Sequence, residues 1–180
     1  MATPPDFVAG QVLTAAQMNK IGWWLIKTQT VGTAVASVSV TDAFSADYEN
    51  YRILYTGGSG STNAYVQIHL GSTTTGYYYA GLGLSFSGVA ANTNGDNLGF
   101  VLAGYMTAAT VNFDCTVYQP FASNETVFTA QFVNTRTGGS GNAQFVGGWL
   151  NNTTSYTGFT IAGNTGTLTG GTIYVYGLRD

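Results

Sequence analysis

Residues 111–117 alternate without a break: Val111, Phe113, Cys115 and Val117 are apolar, and Asn112, Asp114 and Thr116 are polar. A period of two places the two sets on opposite faces of an extended chain. The segment therefore predicts a half-buried strand with its apolar set inward. The same period recurs. Val38 and Val40 alternate with Ser37, Ser39 and Thr41, and Val66, Ile68 and Leu70 alternate with Tyr65, Gln67 and His69. Tyr51 to Thr56, Thr126 to Val133, Gln144 to Leu150, Tyr156 to Ala162 and Gly171 to Leu178 read as further strands. Between them lie Gly57-Gly58-Ser59-Gly60, Asn94-Gly95-Asp96, 138–142, Asn151-Asn152 and Asn164-Thr165-Gly166. Asn and Gly supply the positive φ that tight turns need. The pattern predicts roughly eight to ten strands. Regular strands separated by turn signals point to an all-β, antiparallel β-sandwich or jelly-roll-like domain.

Composition supports an ordered core. A chain of 180 residues buries roughly 70% of the surface its unfolded form exposes, so it needs no staple. Twelve Tyr and ten Phe separate it from disordered polar chains. Only 7% of residues are charged, against about 25% in an ordinary domain. The polar surface must then come from Ser, Thr, Asn, Gln and Gly. The five basic residues are scattered, which argues against nucleic acid and anionic membrane as partners. No apolar run reaches the length of a membrane span, and no secretory signal opens the chain. If the chain acts outside a cell, the expected route there is one other than its own signal, for example release as part of a particle.

Residues 1–22 differ from the rest, and the reading divides the chain into this segment and a single β-domain over 23–180. Thr14-Ala15-Ala16-Gln17 reads as a capping box, and Gly22 terminates a helix of about two turns. So short a helix is unstable alone and must pack on something. Phe7, Leu13, Met18 and Ile21, with Trp23 and Trp24, supply the apolar contacts of an anchor or docking segment. The competing reading folds the same residues back over a sheet edge.

The residues that carry chemistry are few. His69 is the only histidine and points away from the apolar face of its strand, so a metal site would lack partners. Cys115 sits among inward-facing residues and reads as a small buried filler, not a nucleophile. The eight carboxylates do not form an opposed pair legible in sequence, and Asp42, Asp47 and Asp96 sit in turn-like contexts. No phosphate-cradling loop or nucleophile elbow occurs, and no cofactor is expected. The run Tyr77-Tyr78-Tyr79 is the strongest binding signal. Two of the three tyrosines share one face and the third takes the other, so at least one reaches an outer surface. Tyrosine stacks on sugar rings and anchors interfaces at low entropic cost, although cores and subunit seams use it too.

The lead-in from Phe7 through Asn19 (FVAGQVLTAAQMN) resembles that of small virion structural proteins of tailed bacteriophages. Trp24 to Thr30, Tyr48 to Ile53 and the ending Gly171 to Gly177 resemble pieces of the same group. The resemblance implies a particle-surface β-domain, a homotrimer, docked to other virion proteins through its N-terminal segment. It transfers no catalytic residue.

The leading expectation is a non-enzymatic tail-fibre or tail-tip domain that binds host cell-surface glycan through Tyr77, Tyr78, Tyr79, His69 and Trp149. A capsid decoration or cement protein, acting through residues 1–22, is the structural alternative. A polysaccharide depolymerase is the enzymatic one, and the poverty of carboxylates weighs against it.

Overall fold

The computed structural model describes residues 22–134 and 141–178, together with Gly10 and Val12. The expected helix, with Phe7, Leu13, Met18 and Ile21, lies outside the described residues. Among those described there is no helix. Fourteen strands follow one another: β1 (Trp23–Thr30), β2 (Ser37–Val40), β3 (Asn50–Thr56), β4 (Ser59–Gly60), β5 (Ala64–Leu70), β6 (Tyr77–Ser85), β7 (Ala90–Leu98), β8 (Val101–Met106), β9 (Val111–Tyr118), β10 (Thr126–Asn134), β11 (Asn142–Leu150), β12 (Phe159–Gly163), β13 (Leu168–Thr169) and β14 (Thr172–Leu178).

Twelve of these form one antiparallel sheet that forks at β9. One branch runs β1-β14-β3-β9-β10-β11-β6-β7, and the other runs β2-β12-β5-β8 and joins at β9. The fork has a local cause. Residues 115–118 of β9 pair with β10, whereas residues 111–113 pair with β8. The β9–β10 register would bring Asn112 opposite Val133. Instead the Asn112 side chain takes the place of a peptide: its amide NH2 donates to the Val133 carbonyl (2.6 Å) and its oxygen accepts from the Val133 N–H (2.7 Å). One amide side chain thus satisfies β10 where the neighbouring backbone has left.

The branches fold over one another, giving a β-sandwich-like all-β fold with one core. The inner face of the larger branch carries Ile173, Val175, Tyr51, Ile53, Tyr55, Cys115, Val117, Phe128, Ala130, Val146, Leu150 and Tyr77. The smaller branch contributes Val38, Val40, Phe159, Ile161, Val66, Ile68 and Leu70. Tyr77 ties the layers together, because its hydroxyl accepts the Leu70 N–H at 2.7 Å. The alternation read at 111–117 holds: Val111, Phe113, Cys115 and Val117 are all buried.

Three local expectations need correction. Asn94-Gly95-Asp96 is not a turn but the middle of β7, paired with Tyr79 and Ala80 of β6. Gly95 is there for close approach, since a side chain would overlap the Tyr79 ring. The turn lies instead at Phe86–Val89, where Gly88 takes φ +85°. Residues 156–158 precede β12 instead of opening it. The Tyr156 N–H bonds to the Pro120 carbonyl, and its hydroxyl meets Thr73 Oγ1 at 2.6 Å, so this tyrosine plugs a loop. Finally, the strand count exceeds the expected eight to ten, because β4 and β13 are only two residues long and β7 and β8 carry no clean alternation. Each residue of β8 is buried, so its two faces look alike in sequence.

Candidate functional site

The outer face of the larger branch is the most distinctive surface. Cross-strand partners share a face, so the register orders its residues into rows running across the strands. One row is Tyr78, Trp149, Val127 and Tyr118, on β6, β11, β10 and β9. The next is Asn94, Ala80, Gly147, Thr129 and Thr116. The third holds Asn92, Leu82, Phe145 and Gln131. Large residues thus flank a row of small ones. The result is a trough across the sheet, with a depression of about 460 Å³ where Tyr78, Ala80, Val127, Gly147 and Trp149 meet. Gly147 leaves it open, as a Cβ there would touch nothing within 4 Å.

Tyr78 and Trp149 stack in one flank of this trough, with ring centroids 5.1 Å apart and planes at 26°. Trp149 keeps 36% of its surface exposed and Val127 keeps 45%. The pair forms a preformed aromatic platform, held by two long strands instead of a loop. Such a surface can stack an apolar ring face, while Asn94, Thr129 and Thr116 offer uncharged hydrogen-bonding groups along the floor.

The other sequence candidates separate. Tyr77 is fully buried and Tyr79 nearly so. Burial raises the pKa of both, and their rings pack against Phe128 and Phe100. Tyr77 offers no surface to a ligand, Tyr79 borders the depression with only 8% of its surface exposed, and Tyr78 is the most accessible of the three. His69 lies on the outer face of the smaller branch, opposite Thr160. It is half-buried, and desolvation lowers its pKa. It shares no face with Tyr78 or Trp149. Trp23 and Trp24 open the edge strand β1 and are 41% and 36% exposed. Cys115 is fully buried, and burial raises its thiol pKa well above the ordinary value.

Two further features carried no signal in the sequence. A cleft of about 440 Å³ near one end of β12 is lined by hydroxyls, among them Ser39, Thr41, Thr73 and Thr160. The β6–β7 hairpin also exposes Leu82, Leu84, Phe86 and Val89, beside Phe145 of β11, each more than half exposed. No charged residue occurs between Arg52 and Asp96 in the chain. Among the described residues, no three His, Cys, Asp or Glu gather into a metal-binding group. Arg52 and Asp114 form a bidentate ion pair at 2.6 and 3.0 Å on the outer face. Exposed as it is, the pair contributes under about 1 kcal/mol. Compared with known proteins, the chain matches no family model, no curated protein and no solved structure.

Proposed function

We propose that this chain is a non-enzymatic glycan-binding domain on the surface of a tailed-phage particle, at the tail fibre or tail tip. The reading takes the fold as a jelly-roll-like sandwich, with residues 1–22 as a helical docking segment for other virion proteins. The observation that carries glycan binding is the stacked Tyr78–Trp149 platform beside a depression whose lining residues carry no charge. A trough crossing several strands, about 4.8 Å apart, suits an extended oligosaccharide better than a compact ligand. Binding per site is expected to be weak and multiplied by copies on the particle.

Trp149→Ala tests this. The side chain is partly exposed on the outer face, so its loss leaves the core intact. The full chain is expected to bind at least one oligosaccharide on an array of bacterial surface glycans. The variant is expected to bind it at least about tenfold more weakly. A silent array, or an unchanged affinity in the variant, overturns the proposal.

The exposed apolar hairpin supports a homo-oligomer, with a trimer expected from the resemblance. Leu84, Phe86 and Val89, beyond the trough wall, gain most if an identical neighbour covers them, and the chain carries no charge between Arg52 and Asp96 to keep copies apart. Leu84→Asp is expected to shift the sedimentation coefficient from oligomer to monomer with unchanged circular dichroism. A parent chain that sediments as a monomer at all concentrations rejects this part. A capsid-decoration role remains the second reading, favoured by the same apolar hairpin, which could seat against a capsid subunit. Labelled antibody spread over the head instead of the tail end would select it.

A further inference from the structure

The trough floor of small residues ends against Arg52 of β3, which stands opposite Thr116. Two residues before Thr116, on the same outward face of β9, is Asp114. Tyr118, on that face too, is 38% exposed and leans over the floor, with its hydroxyl 3.4 Å from Thr129 Oγ1. An aromatic ring and an ion pair therefore stand around one end of the trough, as Tyr78 and Trp149 stand near the other. Tyr118 lies two strands from Trp149, about 10 Å at the ordinary strand spacing. Arg52 lies three strands from Gly147, about 14 Å.

Within β3, β9, β10, β11 and β14 the charged residues are Arg52 and Asp114 and no others. The sparse charge of this face is thus gathered into one pair, with 44% and 36% of the two side chains exposed. Exposed pairs add little to stability, so the pair can be altered without unfolding the sheet. Its geometry is more informative. Arg52 Nε donates to one carboxylate oxygen at 3.0 Å and Nη2 to the other at 2.6 Å. A guanidinium has five N–H donors and a carboxylate about four acceptor positions, so about three donors and two acceptors are left over, oriented by the fork. Donors and acceptors set side by side match two adjacent hydroxyls of a sugar ring, one accepting from Arg52 and the other donating to Asp114. The two charges oppose each other, so a carboxylated sugar gains from Arg52 what it loses to Asp114, whereas an uncharged sugar loses nothing.

We propose that the Arg52–Asp114 pair sets the specificity of the trough, binding adjacent hydroxyls of an uncharged sugar about three units along the chain from the ring stacked on Trp149. A sugar unit in an extended chain is about as long as one strand spacing, so three strands correspond to about three units. The inference rests on the glycan-binding reading of the trough and adds the class of glycan: uncharged, and at least about four units long.

The test is calorimetric titration of the full chain with homo-oligomers of glucose, mannose, rhamnose and N-acetylglucosamine, each at two and at five units, and with a galacturonate pentamer. In at least one uncharged series the longer oligomer is expected to bind at least about tenfold more tightly than the shorter. Arg52→Ala and Asp114→Ala are each expected to remove that gain, with unchanged circular dichroism. The galacturonate pentamer is expected to bind more weakly than the uncharged one, and Trp149→Ala to weaken both lengths. The inference is overturned if length brings no gain, if both variants keep the gain, or if galacturonate binds most tightly. Binding that needs Trp149 but does not grow with length overturns this inference alone. Silence from every oligomer overturns the trough along with it.

Discussion

Phe128→Ala is expected to cost about 3–5 kcal/mol, seen as a lower urea midpoint at unchanged slope. Phe128 is fully buried on the inner face of β10, with its ring 6.1 Å from Tyr77. Its partner on β11 is Gly148 and its partner on β9 is Val117. The glycine has no side chain to lean into the vacated space, so the cavity persists. Val127→Ala is the control. Val127 faces outward and is 45% exposed, so its truncation is expected to cost less than about 1 kcal/mol. The contrast tests the register itself, because a one-residue slip of β10 would exchange the two faces. Equal losses in the two variants would reject the alternation on which the trough and the core both rest.

Gly171→Ala has the other large effect, and its cause is backbone instead of core volume. Gly171 takes φ +82°, and a methyl there would overlap the Gly58 amide and the Thr56 carbonyl. Neither obstacle is a flexible side chain. A left-handed conformation costs a non-glycine residue about 1–2 kcal/mol, and forced overpacking adds about 1–3. Gly170→Ala separates the two terms. Its φ is +66°, but a Cβ would meet nothing within 4 Å, so only the conformational cost applies. Thermal melts are expected to rank the parent first, then Gly170→Ala, then Gly171→Ala. Equal melting temperatures for the two variants would mean that the β13–β14 connection relaxes and that the close approach to Gly58 carries no cost.

Much of the fold was legible where one face meets the core and the other meets solvent. Strands β5, β9 and β10 alternate because their outer residues remain partly exposed, and their inner sets are buried as expected. Legibility failed where that contrast vanishes. Strand β8 is buried on both faces. Strand β7 has the composition of a turn, Ala-Ala-Asn-Thr-Asn-Gly-Asp-Asn-Leu, yet pairs along β6 for most of its length. Its long partner overrides weak strand propensity.

The candidate sites divide in the same way. Alternation alone dictated that Tyr78 faces opposite to Tyr77 and Tyr79, and that Cys115 points inward. It could not say which face of β6 would be covered, since that depends on where β5 and β8 fold across it. Trp149 meets Tyr78 only because β11 and β6, more than fifty residues apart in the chain, pair in one register. Periodicity is a local property, set by each strand's own two faces, and the sequence determined it. Which faces are buried, and which side chains become neighbours, follows from strand pairing across long separations, and the tertiary structure decided that alone.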